Sequence, residues 1–188
     1  MADFGHFVVQ VSYAVNACLG LSYSIGQFSY QRIFGFLFLL VAFIQFHFEL
    51  IYTKALFYYP IFFLTYVPAI LFFGPVLYFL FQRIVFNHTL SQLQLFKHFL
   101  VPTMSVVAVI PIFFITPDDK LKLINALFYS TSSMEYIFLS FICVSSVFFY
   151  IAMLFSTLPT IKRMKAKASF SYILFSILIF TVIISGFA

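Results

Sequence analysis

Few residues in this sequence could carry out chemistry. The chain of 188 residues has four histidines, two cysteines and five acidic residues, and it contains no HExxH, CxxC, GxSxG or glycine-rich phosphate-loop motif. Of the histidines, His6, His47, His88 and His98, no two are spaced i, i+4, as paired metal ligands on a helix would be. We therefore expect neither an enzyme, nor a metal site, nor a cofactor.

Polar residues inside long apolar runs are the better candidates for a binding site. A polar side chain in hydrocarbon is costly and usually faces the interior of a helix bundle. Gln45 and Glu49 are spaced i, i+4 and so share one helix face, whereas His47 lies nearly opposite. Together with Tyr78 and Glu135 they predict a ligand site with acidic and aromatic walls. In the alternative interpretation, Glu49 pairs with Lys54 or reaches lipid headgroups, and Glu135 caps a helix.

The composition defines the elements that must position these residues. Hydrophobic residues make up 64% of the chain and charged residues 8%, with 31 Phe, 12 Tyr and a mean hydropathy of +1.11. These values exclude a soluble globular domain, a disordered tail and a disulfide scaffold. They predict an all-α, polytopic transmembrane bundle in the lipid bilayer, in which Cys18 and Cys143 pack as small hydrophobic residues.

Hydropathy divides the chain, a single domain over residues 1–188, into six predicted helices. The third is long, and we expect one helix bent at Pro68 and Pro75. At Thr116-Pro117-Asp118-Asp119 the sequence predicts a helix start with a capping threonine. The six segments are 4–26, 33–52, 56–86, 97–116, 123–158 and 169–188.

Charge predicts the orientation in the membrane. Seven basic and no acidic residues fall in the first, third and fifth connections, the densest cluster being Lys162-Arg163-Met164-Lys165-Ala166-Lys167, and all five acidic residues fall on the other side. The positive-inside rule then places the N-terminus outside. Six spans also end outside, so we expect either that the protein ends there or that the chain is a fragment that stops before a seventh helix; the family resemblance described next favours the fragment.

One stretch resembles a known family. The segments Phe73-Gly74-Pro75-Val76-Leu77-Tyr78-Phe79 and Lys97-His98-Phe99-Leu100-Val101-Pro102 are separated by a polar loop, and Thr116-Pro117-Asp118-Asp119-Lys120-Leu121 follows. This arrangement is similar to the membrane-embedded N-terminal regions of bacterial AraC/XylS-type transcriptional regulators. The resemblance covers roughly residues 70–125, and elsewhere only the hydropathy is similar.

The resemblance implies a seven-helix sensor in a bacterial cytoplasmic membrane, followed by a cytoplasmic helix-turn-helix domain that this chain lacks. DNA would be a partner only through that absent domain, and a homodimer is expected because such regulators bind paired half-sites. The roles of Tyr78 and His98 stay open between ligand contact and anchoring at the membrane interface.

Two functional hypotheses follow. The first is a sensory domain of a transcriptional regulator that binds a hydrophobic ligand, such as a fatty acid or lipid, and signals by repacking its helices around the proline-containing third segment. The alternative is a hydrophobic subunit of a larger respiratory or transport complex, which high Phe and low charge suit equally. A reading frame that continues into a basic helix-turn-helix would favour the regulator.

Overall fold

The fold is helical throughout the part of the chain that the structure describes. The computed structural model describes residues 2–26, 29–86, 90–129 and 134–156, and within these ranges it contains six α-helices and no strand. The helices are α1 (Ala2–Ser24), α2 (Ser29–Tyr52), α3 (Tyr66–Val85), α4 (Gln92–Phe114), α5 (Pro117–Tyr129) and α6 (Met134–Ser156). The sixth predicted segment, 169–188, lies outside the described residues.

Four of these helices are long and apolar enough to cross a membrane. They contain the candidate spans Gln31–Tyr52, Tyr66–Arg83, Gln92–Phe114 and Ile137–Ser156. The spans in α2 and α3 are about half buried within the protein, whereas 11% of the span in α4 and 17% of the span in α6 are buried. The helices therefore divide into an inner pair, α2 and α3, and two that present most of their apolar surface outward.

Helices α1 and α2 form a close antiparallel hairpin. Gly35 of α2 lies so near α1 that a Cβ atom there would be 2.6 Å from the backbone nitrogen of Ser24. Small residues allow this backbone-to-backbone approach between apolar helices. The hairpin brings the polar residues of α1 against one face of α2.

Helix α3 is the central element. It packs against α2, α4 and α6, and the main apolar core joins residues of α2 such as Leu37 and Val41 to Leu77 and Leu80 of α3. Leu37 and Leu80 are fully buried. Their burial holds the inner pair together and leaves α6 as a third wall beside it.

One end of the bundle is covered by a cap, which we define as residues 53–65 together with α5. The cap has its own small core of Leu56, Phe63 and Ile124, each at most 1% exposed. Lys120 of α5 is buried as well, and its Nζ donates to the carbonyl oxygen of Phe113, 3.3 Å away, at the C-terminal end of α4. The cap therefore ties the ends of α2, α3 and α4 together.

The expectation of one helix over residues 56–86 is wrong for its first part. Residues 55–57 and 60–62 form two short 3₁₀ helices, and α3 begins at Tyr66. Lys54 and Leu64 adopt left-handed backbone conformations, which an α-helix cannot accommodate. Pro68 lies in the first turn of α3, where backbone N–H groups form no bond within the helix, so a proline there removes no hydrogen bond. Pro75 lies in the interior of α3.

The helix starts also differ from the predicted ones. Helix α4 begins at Gln92, ahead of the predicted residue 97, because Ser91 and Gln94 form a reciprocal capping box. The predicted start at Thr116 is confirmed, since its Oγ1 accepts a hydrogen bond from the backbone N–H of Asp119. The predicted segment 123–158 corresponds to the end of α5 and to α6, with residues 130–133 outside the described part.

Candidate functional site

An apolar groove lies between α2, α3 and α6. Its cavity volume is about 290 Å³, and it is open on one side. Val41 and Phe48 of α2, Ile70 and Phe73 of α3, and Val144 of α6 are among the side chains that line it. This volume is at the lower end of the range for small-molecule sites, which are concave and mostly apolar.

Gln45 is the polar residue of the groove wall, and its amide is already engaged. Its Oε1 accepts from Asn16 Nδ2 at 2.9 Å, and its Nε2 donates to Ser12 Oγ at 3.0 Å. Both partners lie on α1, and Asn16 is 3% exposed. Because these bonds turn the amide toward α1, the groove receives from Gln45 mainly the carbon part of the side chain.

Glu49 lies one helical turn closer to the cap and also faces α1. Its Oε1 accepts a hydrogen bond from Gln10 Nε2 at 3.2 Å, and the residue is 9% exposed. Gln45 and Glu49 thus share a face, as predicted, and this face forms a polar seam with α1. We define the polar seam as Gln10, Ser12, Asn16, Gln45 and Glu49.

His47 lies on the face of α2 away from the polar seam and binds residues of the cap. Its Nε2 lies 2.6 Å from the carbonyl oxygen of Phe62 and 3.0 Å from Thr65 Oγ1. Because a carbonyl oxygen accepts, we assign the proton to Nε2. The ring also contacts Phe43 and Tyr66, with centroids 4.9 and 5.6 Å away. This buried histidine has a structural role between α2 and residues 62–65.

Tyr78 lies in a second polar cluster, which joins α3, α4 and α6. His98 Nδ1 lies 3.1 Å from the Tyr150 hydroxyl, and the Tyr78 ring centroid is 5.2 Å from that of His98 and 6.2 Å from that of Tyr150. A Cβ on Gly74 would overlap the Tyr150 ring. Tyr150 therefore contacts both Gly74 and His98, which belong to two separate motifs of the sequence. We call Gly74, Tyr78, His98 and Tyr150 together the tyrosine joint.

Three of the four residues predicted to bind a ligand have described side chains, and these lie in different parts of the structure. Gln45 lines the groove, Glu49 lies beside it in the polar seam, and Tyr78 belongs to the tyrosine joint. Glu135 is in the first turn of α6, and its side chain lies outside the described residues. The predicted ligand site with acidic and aromatic walls stays a prediction, and the groove beside Gln45 has almost wholly apolar walls.

The groove and Tyr150 were not anticipated from the sequence. Groove residues such as Val144 and Phe148 are indistinguishable by type from the other apolar residues of a chain with 31 Phe. One usable signal was Gly74, since glycine in a helix often marks a close approach by another element. Its partner on α6 could be identified only from the packing.

The walls of the groove suit contact with apolar groups. Within the described ranges, no three His, Cys, Asp or Glu side chains come together as metal ligands would. The groove offers dispersion contacts and hydrophobic burial, and its polar neighbour Gln45 is held by α1. No protein-family model, curated protein or solved structure matches the chain.

Proposed function

We propose that this chain is a membrane-embedded sensory domain that binds one hydrophobic, lipid-like molecule in the groove between α2, α3 and α6. In this proposal the apolar helices cross a bilayer, with the N-terminus and the cap outside. The observation that carries it is the groove itself, which has a volume of about 290 Å³ and apolar walls.

Close van der Waals packing is the physical basis of binding. Apolar contact in a groove replaces contact with lipid tails, so affinity depends on how closely the groove fits one molecule rather than on the hydrophobic effect alone. Gln45 supports selectivity for hydrocarbon, because a ligand polar group at its level would find an amide already bonded to Asn16 and Ser12. A slender apolar chain satisfies these conditions best.

The proposed output is transcriptional and rests on the resemblance of residues 70–125 to AraC/XylS-type regulators. The groove is bordered by α6, and α6 is joined to α3 and α4 at the tyrosine joint. A ligand that favoured one position of α6 would therefore shift the packing at this joint. Such a shift requires different ligand affinities in the two states.

The second candidate function is a hydrophobic subunit of a larger membrane complex. The observation that favours it is the low burial of α4 and α6 within this chain, which leaves long apolar faces for a partner helix. In that case a helix from another chain would fill the groove in place of a lipid.

Lipid extraction and mass spectrometry on purified protein test the proposal. Val144→Phe places a larger side chain in the groove wall, and Val107→Phe makes the same change on α4, away from the groove. The two valines are 52% and 54% exposed, so they form a matched pair. We expect one lipid-like species to accompany the wild type and Val107→Phe in stoichiometric amount and to be lost from Val144→Phe.

Recovery of only bulk phospholipid from all three proteins would contradict the sensory proposal and favour the subunit. A circular dichroism spectrum and a melting curve for each variant separate loss of the ligand from loss of the fold.

A further inference from the structure

The cap contains a short segment whose large side chains are exposed. Tyr58 is 82% exposed, and Tyr59 and Ile61 are each 56% exposed. Pro60 lies between the last two and begins the second 3₁₀ helix. We call residues 58–61 the exposed segment. Three large, mainly apolar side chains within four consecutive residues form a surface for which contact with water alone is unfavourable.

The position of the exposed segment in the chain places it at the end of the bundle. The candidate span in α2 ends at Tyr52, and the next candidate span begins at Tyr66. Only residues 53–65 connect the two spans, so the exposed segment lies close to the plane in which both spans end. In a bilayer that both helices cross, this plane is the boundary between acyl chains and headgroups.

The backbone around the exposed segment forms its own hydrogen bonds, which a position against lipid requires. Unpaired N–H and C=O groups are costly wherever water is scarce. Five N–H groups donate to carbonyl oxygens within residues 54–60 at 2.9–3.2 Å, namely those of Phe57, Tyr58, Tyr59, Phe62 and Phe63. Pro60 has no N–H to satisfy. These donors therefore stay paired when the exposed segment leaves water.

A second exposed part of the cap has the opposite chemistry. Asp119 and Lys122 of α5 form an ion pair of 2.7 Å, and their side chains are 51% and 77% exposed. Charged groups are costly to remove from water, so the start of α5 marks a part of the cap that stays in water. The exposed segment contains no charged residue. Its tyrosines combine an apolar ring with a polar hydroxyl, as residues at membrane interfaces typically do.

From these observations we infer that the exposed segment inserts into the interfacial layer of the bilayer, where acyl chains meet headgroups, and anchors the cap to the membrane. The tyrosine rings and Ile61 contact the first part of the acyl chains, and the hydroxyl groups of the tyrosines meet headgroups and water. The inference rests on the part of the proposed function in which the helices cross a bilayer, and it does not depend on a ligand in the groove.

Single tryptophans can test this position, because the chain has no Trp of its own. Tyr58→Trp reports on the exposed segment, and Lys122→Trp reports on the charged part of the cap. Met104→Trp, at a position of α4 that is 59% exposed, is the control for the bilayer itself. Met104 lies ten residues before the end of α4, about 15 Å along the axis, which is half of a hydrocarbon thickness of about 30 Å.

The measurement is fluorescence quenching in phosphatidylcholine nanodiscs, by iodide in the buffer and by bromines on the lipid. One lipid carries bromines near the carbonyl end of its acyl chains, and the other carries them near the methyl end. We expect Tyr58→Trp to be quenched several-fold more by bromines near the carbonyl end, and Met104→Trp to show the reverse order. Lys122→Trp should be quenched by iodide and by neither lipid.

Quenching of Tyr58→Trp by iodide alone overturns the inference, because the exposed segment would then lie in water. Stronger quenching by bromines near the methyl end overturns the interfacial position. Protection from both iodide and bromine also overturns the inference and points to a protein that covers the exposed segment. Met104→Trp separates these outcomes from failure of the proposed function, which follows if neither lipid quenches Met104→Trp.

Discussion

The ring of Tyr150 on α6 packs directly on the backbone of Gly74 on α3, where even a methyl group would overlap it. The same tyrosine places its hydroxyl 3.1 Å from His98 Nδ1 on α4. One aromatic side chain thus fixes the mutual positions of three helices, two of which border the groove.

Gly74→Ala is expected to destabilise the protein, although alanine normally stabilises a helix relative to glycine by about 1 kcal/mol. The added Cβ forces the Tyr150 ring out of place, and overpacking of this kind typically costs about 1–3 kcal/mol. The free energy of unfolding in detergent is the measurement. Gly74→Ala combined with Tyr150→Leu should recover stability relative to the sum of the single changes, and strict additivity would show that the contact is unimportant.

Tyr150→Phe should lower stability by about 0.5–1.5 kcal/mol, since it removes the hydroxyl paired with His98 and keeps the ring on Gly74. Tyr78→Phe is the matched control, because Tyr78 meets His98 and Tyr150 through its ring. Equal melting temperatures for wild type and Tyr150→Phe would show that the hydrogen bond between Tyr150 and His98 does not stabilise the tyrosine joint.

Gln45→Leu should be the most damaging change in the polar seam. It leaves Asn16, which is 3% exposed, without its amide partner, and an unsatisfied buried group costs about 1–3 kcal/mol. Gln92→Leu, at an exposed position in the first turn of α4, is the control and should change little. The double variant Asn16→Leu with Gln45→Leu should lose less stability than the two single losses added together.

The start of α5 should loosen in acid. Hydrogen bonds from Lys122 and Thr116 hold the pKa of Asp119 below its ordinary value, and Asp119 in turn raises the pKa of Lys122. A carboxyl group whose pKa is lower in the folded state stabilises the fold at any pH above its unfolded-state pKa, which is about 3.9. This stabilisation is lost as the pH falls through the lower, folded-state pKa. The protection of α5 amides against hydrogen exchange, taken relative to the intrinsic exchange rate at each pH, should therefore fall in that acidic range. An unchanged acid response in Asp119→Asn would contradict this cause.

Much of the fold follows from composition and spacing. A continuous apolar run in a bilayer must be helical, because each backbone group needs a partner within its own segment. The sequence predicts the helix start at Thr116 correctly because the signal is local: the Thr116 side chain caps the helix. The start of α4 was missed, although Ser91 and Gln94 carry the capping-box signature in the sequence.

The packing of the helices against one another could not be predicted from the sequence. The face shared by Gln45 and Glu49 follows from helical spacing, but only the tertiary structure shows that this face meets Asn16 and Gln10 of α1. The break between α2 and α3 arises where Lys54 and Leu64 turn left-handed, and neither residue type favours that conformation. Which apolar side chains line a groove likewise depends on where helices leave a gap.

The proposed function requires one saturable ligand site, which tryptophan substitutions at two adjacent positions can distinguish from contact with bulk lipid. Phe148 lines the groove, whereas Phe149, at nearly the same depth, packs beside Tyr150, and the two are 66% and 58% exposed. On titration with a brominated single-chain lipid in bilayers, fluorescence of Phe148→Trp should fall to a plateau near one ligand per chain. Phe149→Trp should lose fluorescence in proportion to the bulk lipid fraction. Identical, unsaturating curves for both variants would contradict the account.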